Sequence, residues 1–461
     1  MSSRHWRRMW IVMMVLAALS QRGAGAQTFR QSPPPDPYLS RQHAEEVVNA
    51  LAEVMTANYV DSLRGAEVGA KLRTALKRGD YRKFDHARPL VARLAQDVQS
   101  IIHDGHFNFL YFPPEAEGFN WVNQGAGKVD SVAMLNEDRA RLRRLNFGVA
   151  RAEVLEGNIG WLTISRFDAP PALFREPLAA AFRLLQDTDA LIIDLRRNPG
   201  GLDQSVQLAF SYLTAEPPFL ATTKVYRGGK PREESWTVED PGGPRYLGRP
   251  VYVLTSGATA SGAEMFSYQV KHRQKGTLVG ARTVGGAHSF DTFQIGPVPA
   301  GRFMVLLPNA LTVDALTGGD WEGVGVTPDV EVPPAEAPAA AIRLALEALA
   351  AKALTEEARA EYTNLRDKLV YTETHGAPDP REMEKYVGRY GIRRVYVEAG
   401  QLKYQRDSGP AVEMEPVADD TFELGIATSP RPRVRFEVEA GSVRAMVLSQ
   451  FGGEERIEKE R

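Results

Sequence analysis

Residues 251–288 read VYVLTSGATASGAEMFSYQVKHRQKGTLVGARTVGGAH. The apolar, β-branched run Val251–Leu254 breaks into a small-residue turn carrying Ser256, Thr259 and Ser261. Ala263, Phe266 and Val270 then fall at helical spacing, so the stretch predicts a strand, a tight turn and a helix that begins near Ser261. This sets a hydroxyl beside backbone N–H groups that have no intrahelical acceptor, at the positive end of a helix dipole. The arrangement suits a serine nucleophile with half an oxyanion hole. It suits a serine that merely caps the helix equally well. The remainder of the chain has to choose.

The same pattern occurs once more upstream. Ala190–Leu195 is a continuous apolar run of the kind found in buried strands, followed by Arg196-Arg197-Asn198-Pro199-Gly200-Gly201 and a helix from Ser205 to Leu213. Two glycines after a strand let successive amides face a cleft and cradle an anion. The turn matches neither the Walker loop nor the GxGxxG fingerprint, which argues against a nucleotide. Around these two units lie expected strands at Val149–Leu155, Ile159–Ile164, Thr277–Val279, Thr292–Ile295 and Phe303–Leu307, with a helix at Pro171–Leu185. Alternating strands and helices imply a mixed α/β core with its site at strand ends.

Before this core the apolar spacing predicts three helices, around Ala44–Met55 with Ser40 as cap, Ala66–Lys77 and Pro89–Ile102. They lead into His103-Asp104-Gly105-His106 and a strand over Phe107–Phe112. Pro113–Asp138 reads as a long loop, a candidate lid. After the core, Ala335–Leu369 is helical, and a turn at Gly376–Pro380 precedes a tail of short strands.

Composition limits the function classes. At 461 residues, two or three domains are expected, and 43% hydrophobic with 25% charged residues is globular. The N-terminus has the form of a secretory signal: a basic start (His5, Arg7, Arg8), an apolar run Met9–Ala18 and Ala24-Gly25-Ala26 before Gln27. Its removal would take the formal charge from -2 to about -6. A mildly acidic chain without a basic patch excludes nucleic acid as the expected partner. The absence of cysteine excludes disulfides, thiol nucleophiles and thiolate metal sites. An exported protein of this type is expected in a bacterial periplasm or outside the cell, with no stable membrane span after cleavage.

A serine nucleophile needs a base. Ser-x-x-Lys and Gly-x-Ser-x-Gly arrangements are both absent. His272 lies in a charged run and reads as solvated, while His103 and His106 lack a spaced third ligand, so no metal and no cofactor are expected. His106, between a glycine and an apolar strand, is the better base candidate, with Glu322 or Asp104 to orient it.

Four blocks then carry a resemblance: HDGH (103–106), LIIDLRRNPGG (191–201), TSGATASGAE through TVGGAH (255–288) and WEGVGVTPD (321–329). In this order they resemble the tail-specific, or carboxyl-terminal processing, serine protease family, in the branch shared with tricorn protease and the interphotoreceptor retinoid-binding protein. The resemblance implies a Clp-protease/crotonase-like mixed α/β core, preceded by a helical domain and followed by a small β-rich domain. The tail itself is similar to small β domains appended to secreted hydrolases of the penicillin-recognising group.

The resemblance makes Ser261 the nucleophile, His106 the base and Glu322 its carboxylate partner, with the amides of Gly200, Gly201 and Gly262 as the oxyanion hole. The lysine of the dyad-bearing branch has Gly286 in its place, and the serine preceding the tricorn histidine has Gly105. The region between His106 and Gly157 does not resemble a PDZ domain. The expected organisation is a signal peptide at 1–26, an N-terminal helical domain at 27–106, a peptidase core at 107–350, a helical linker at 351–380 and a β-rich domain at 381–461. The expected function is an exported serine peptidase acting on peptide or protein substrates through an acyl-enzyme. The alternatives are a non-catalytic binding protein on the same scaffold and an esterase-like hydrolase.

Overall fold

The computed structural model describes residues 36, 38–113, 139–227, 231–298, 301–375, 380–426, 428, 431–450 and 453–460. The signal-like segment 1–26, the stretch 114–138 read as a lid and residues 376–379 of the turn before the tail lie outside them. The chain divides into two compact units. One comprises residues up to 153 with 160–187 and 191–337; the other comprises 338–461 with the short pieces 154–159 and 188–190.

In the first unit, helix α1 (Arg41–Asn58) starts where the Ser40 side chain accepts the His43 amide at 3.2 Å. Helix α2 (Ser62–Arg78) is capped by Asp61 and stopped by Gly79, and α3 (Ala87–Ile102) ends on His103 in a left-handed conformation. The apolar stripes predicted from spacing (Val47, Leu51, Leu90, Leu94, Val98) are buried in one cluster with Phe107, Phe109, Ile295, Phe303 and Val305. The helices therefore share a core with strands whose Ile295, Phe303 and Val305 lie far downstream in sequence. Each fully buried side chain of this size contributes about 1.5–3 kcal/mol.

The strands of this unit are β1 (Asn108–Phe112), β2 (Val149–Leu155), β3 (Ile159–Ile164), β4 (Ala190–Asp194), β5 (Leu220–Tyr226) and β6 (Glu233–Trp236). They continue as β7 (Val251–Thr255), β8 (Thr277–Gly280), β9 (Ser289–Val298), β10 (Gly301–Asp314) and β11 (Val330–Glu331). One sheet runs β1-β10-β5-β6, with β9 also paired to β10; the other runs β11-β8-β7-β4-β3-β2. Strands β5 and β6 were not expected from sequence; Leu220–Tyr226 mixes threonines with a lysine and lacks clean alternation.

The second sheet positions the site. Its strands β4, β7, β8 and β11 are parallel, with Leu191 opposite Val251 and Asp194 opposite Leu254. Helices α4 (Pro171–Leu185), α5 (Asp203–Phe210) and α6 (Gly262–His272) contribute to the core beside them. Phe167 packs at 6.0 Å from both Phe174 and Phe266, and Phe182 stacks on Tyr212 at 3.9 Å. Since β4 and β7 are parallel neighbours, the turns that follow them emerge at the same edge of the sheet, the usual place for a site in such a fold. The expected mixed α/β core is the one observed.

In the second unit, the helical stretch expected over Ala335–Leu369 is two helices, α7 (Ala337–Lys352) and α8 (Glu356–His375). The tail holds eight antiparallel strands in consecutive order: β12 (Gly388–Tyr390), β13 (Arg393–Glu398), β14 (Gln401–Arg406), β15 (Val412–Ala418), β16 (Thr421–Leu424), β17 (Arg433–Glu439), β18 (Ser442–Gln450) and β19 (Gly453–Glu458). The Glu460 amide reaches the Arg389 carbonyl at 2.9 Å, bringing the two ends of the meander together in a barrel-like form. Tyr386, Tyr390, Phe422, Phe436 and Met446 fill its interior.

Candidate active site

The turn after β4 and the turn after β7 are stitched to one another. Ser256 Oγ donates to the Arg196 carbonyl at 2.5 Å, Thr259 Oγ1 donates to the Leu195 carbonyl at 2.9 Å, and the Ala260 amide donates to the Asn198 carbonyl at 3.1 Å. The small hydroxyl residues seen in sequence thus lock the two turns together. Asn198, fully buried, donates from Nδ2 to the Ile164 carbonyl and accepts the Gly200 amide on Oδ1, at 2.9 and 2.8 Å.

The Gly200 N–H is taken inside its own turn, because the Asn198 side chain curls back to accept it. Gly201 remains. A β-carbon on Gly262 would lie 3.0 Å from the Gly201 nitrogen, so these two amide-bearing residues are in close contact. Gly262 is the first residue of α6, where an N–H has no acceptor within the helix. Gly200 serves instead by being small: at φ 102°, any β-carbon there would sit 2.7 Å from Ser261 Cβ and 2.6 Å from the Gly262 nitrogen.

Ser261 itself is at φ 51°, ψ -118°, outside the ordinary left-handed well. For a residue with a β-carbon this is a strained conformation, of the kind that persists where surrounding contacts over-determine it. The contacts are visible. The Ser261 amide donates to Glu264 Oε2 at 2.8 Å, and the same oxygen accepts the Gly286 amide at 2.8 Å. Glu264 Oε1 accepts Thr283 Oγ1 at 2.5 Å and the Gly285 amide at 2.6 Å. Glu264 is 0% exposed. Burial raises its pKa, against the pull of these four donors. In sequence Glu264 is only a neighbour of the serine; its role as the common anchor of two segments depends on Thr283, Gly285 and Gly286 folding back onto it from 19 to 22 positions away.

That segment also packs against His106. A β-carbon on Gly286 would lie 2.8 Å from His106 Cε1 and 3.3 Å from both ring nitrogens. The space that a side chain at 286 would need is filled by the His106 imidazole. Phe290 covers another side of the ring, with centroids 5.4 Å apart. His106 is 7% exposed, and desolvation pushes its pKa down to about 4; the charge of Asp104 pulls the other way, while those of His288 and Lys224 reinforce the fall. The ring is therefore neutral at physiological pH, as a general base must be. Lys224 on β5 is itself buried, in an ion pair of 2.8 Å with Asp203 at the start of α5.

Glu322 and Asp104 both stand near this ring. A ring nitrogen of His106 and one oxygen from each carboxylate lie within 4.8 Å of one another. His106 Nδ1 and Glu322 Oε1 are both buried without a hydrogen-bond partner. Glu322 Oε2 is occupied, accepting the amides of Ala287 (2.6 Å) and His288 (2.8 Å), and Trp321 Nε1 ties the loop to the Gly286 carbonyl at 3.1 Å. Asp104 is occupied on both oxygens: Oδ1 takes the His106 amide at 2.9 Å, and Oδ2 takes the Tyr59 hydroxyl at 3.1 Å and His288 Nδ1 at 2.9 Å. Asp104 thus holds the backbone of His106, while the orphaned Glu322 oxygen is the one available to the ring.

His288 was not singled out in the sequence. Burial would lower its pKa, but the hydrogen bond to Asp104 and the charges of Glu322 and Asp104 outweigh that, and it rises above the usual histidine value. Burial likewise opposes the charge of Asp104, which His288 nevertheless holds below the ordinary carboxylate range. Burial and the Asp104 charge push Glu322 up to about 7, even though His288 and the amides of His288 and Ala287 pull it down. The carboxylate spacing would suit a metal ion, yet three of the four oxygens already hold donors, and positive charge in this corner comes from His288. We assign no metal ligand here. His103 caps α3 and is absent from this grouping.

Residues 158–332 match the sequence model of peptidase family S41, and residues 39–156 match the N-terminal domain of peptidase S41 in eukaryotic IRBP. Residues 158–332 form a peptidase family S41 domain.

Among curated relatives of this chain, a carboxyl-terminal-processing protease of Synechocystis sp. is 34% identical over 130 residues, covering 28% of each chain. A carboxy-terminal-processing protease of Bartonella bacilliformis is 26% identical over 185 residues, covering 39% of each. The chain thus spans well under half the length of these relatives. Among solved structures, tricorn protease aligns with 65% of this chain and 35% of its own, at 15% identity and a TM-score of 0.37, too low to transfer anything.

Proposed function

We propose that this chain is a serine peptidase that cleaves peptide bonds through an acyl-enzyme on Ser261, with His106 as general base, Glu322 as its carboxylate partner and the Gly201 and Gly262 amides as the oxyanion hole. One observation carries the reading: the His106 imidazole fills the side-chain space of Gly286, whose amide shares a single Glu264 oxygen with the Ser261 amide. This chain of contacts, His106 to Gly286 to Glu264 to Ser261, supports pairing two residues that stand 155 positions apart in sequence.

The chemistry follows. Neutral His106 takes the Ser261 proton as Oγ attacks the carbonyl carbon, and the negative charge developing on the carbonyl oxygen is met by the two amides. Collapse of the tetrahedral intermediate breaks the C–N bond as His106 returns the proton to the leaving amine. Water, deprotonated by the same ring, then releases the acyl group and restores Ser261. Glu322, which has a carboxylate oxygen within 4.8 Å of a His106 ring nitrogen, stabilises the imidazolium that forms in between. The relatives are named for carboxyl-terminal processing; peptide-bond cleavage is what we extend to this chain, together with export by the signal-like N-terminus to the periplasm or the medium. No helix among the described residues is long and apolar enough to cross a membrane.

A fluorophosphonate probe tests the assignment directly. Labelling of the wild type that disappears in Ser261→Ala supports it, and a fall in peptide turnover by several orders of magnitude should accompany the loss. A protein that takes no label at any pH would be a binder on this scaffold, not an enzyme.

A further inference from the structure

Two carboxylates crowd behind the candidate base. Asp104 is 2% exposed, and one of its oxygens lies within 4.8 Å of one from Glu322. Two anions that close in a desolvated corner repel strongly, and one would ordinarily be lost to protonation. If Glu322 took that proton, it could no longer stabilise a positive charge on His106. His288 resolves the conflict. Its Nδ1 is 2.9 Å from Asp104 Oδ2 and 3.6 Å from Glu322 Oε2, and its own amide donates to that same Glu322 oxygen at 2.8 Å. One residue therefore touches both carboxylates, by ring and by backbone.

We propose that His288 is a positioning residue for this site: an imidazolium held between Asp104 and Glu322 that balances their charge, keeps Glu322 ionised and leaves its second oxygen turned to His106. The proposal rests on the serine-peptidase reading. The charged groups around His288 are Asp104, from the loop after α3, and Glu322 and Asp320, from the loop after β10. His106 adds a neutral ring, and Tyr59 of α1 acts through its bond to Asp104. The acids act in one direction, holding the proton on His288. With that proton present and Glu322 ionised, the corner carries a single net negative charge, the one the base needs; burial and Asp104 still hold the Glu322 pKa up at about 7, so the ionised form prevails above that pH. Titrating His288 or replacing it returns the repulsion to Glu322, which then neutralises at a higher pH.

Two measurements decide. In the full-length Ser261→Ala protein with isotope-labelled histidine, NMR should show the His288 ring, identified by its loss in His288→Asn, doubly protonated at about pH 7 while His106 is neutral. Asp104→Asn should lower the His288 midpoint by about one unit or more. In the active enzyme, His288→Asn should reduce kcat/KM by roughly 10- to 100-fold, mainly in kcat with KM held, and move the acid limb of the pH profile upward. A His288 ring that is neutral at that pH, a midpoint indifferent to Asp104→Asn, or a His288→Asn enzyme with wild-type kcat/KM would overturn the proposal. The protonation state of His288 is read in Ser261→Ala, where Asp104, Glu322, His106 and His288 are all intact, so misfolding of a network variant does not shield the idea. Peptide turnover surviving in Ser261→Ala would sink the parent reading instead, an outcome on which the imidazole signals do not depend.

Discussion

The turn that carries Ser261 and the hairpins of the β-rich tail both place non-glycine residues at positive φ, for different reasons. In the tail, Ala399 (φ 51°) and Ala440 (φ 52°) each precede a glycine at φ 79°, in two-residue connections between antiparallel strands. There the primed turn demands positive φ at both positions, and the hairpin twist rewards it. Ser261, at φ 51° and ψ -118°, closes no hairpin. Its conformation is fixed from outside, by Glu264 and by the stitched turns of two parallel strands. The polar groups differ in the same way. Those of the tail sit largely in partly exposed pairs such as Lys403–Glu413, whereas those behind Ser261 are buried, shared between segments and in places left unpartnered. Unusual backbone becomes evidence of chemistry when distant side chains, not the local turn, hold it there.

The contrast can be broken most severely at Gly286. Gly286→Ala forces the His106 ring from a site where the new carbon would lie 2.8 Å from Cε1, and kcat/KM should fall at least about 100-fold with the fold retained by circular dichroism. The corresponding change in the tail, Gly441→Ala, meets nothing within 4 Å and should leave turnover unchanged, at the cost of a strained turn.

Glu264→Gln sharpens the point about shared anchors. Four donors converge on that buried carboxylate, and the amide side chain offers one acceptor oxygen for all of them, so unfolding free energy should drop by roughly 2–4 kcal/mol in a denaturant titration. Glu413→Gln removes a partly exposed pair in the tail and should cost less than about 1 kcal/mol in the same assay.

The pH dependence of stability separates the regions as well. His106 is depressed from 6.5 to about 4 in the folded state. As pH falls through that window the unfolded chain binds a proton that the folded chain refuses, so this group makes stability decline with acidification, by at most about 3 kcal/mol. Relative to His106→Gln, the wild type should lose more stability between neutral pH and pH 4. An identical slope in both proteins would mean that the ring is solvated, contrary to its burial.

Much of this was legible before any coordinates. The apolar spacing of α1 to α3, the runs that became β4 and β7, and the four ordered blocks are local signals, and each formed the element expected of it. The eight-stranded tail was legible as short strands, although three of them, at Gly388–Tyr390, Val412–Ala418 and Gly453–Glu458, lacked a clear alternation and appear only through pairing with their neighbours. His288 is one of four histidines in the expected core, but nothing within reach along the chain gives a role to a histidine after Gly285-Gly286-Ala287; its partner Asp104 is 184 positions upstream.

The sequence by itself determined the periodicities, the two strand–turn–helix units and the family, since these depend on residue types at short spacing. The tertiary structure alone decided which donors and acceptors are spent. It assigned the Gly200 amide to Asn198, left Glu322 Oε1 and His106 Nδ1 buried without partners, and put an imidazole in the space beside Gly286. A hydrogen bond is satisfied or orphaned by geometry of a few tenths of an ångström between segments far apart in the chain, and no local pattern of residues records that distance.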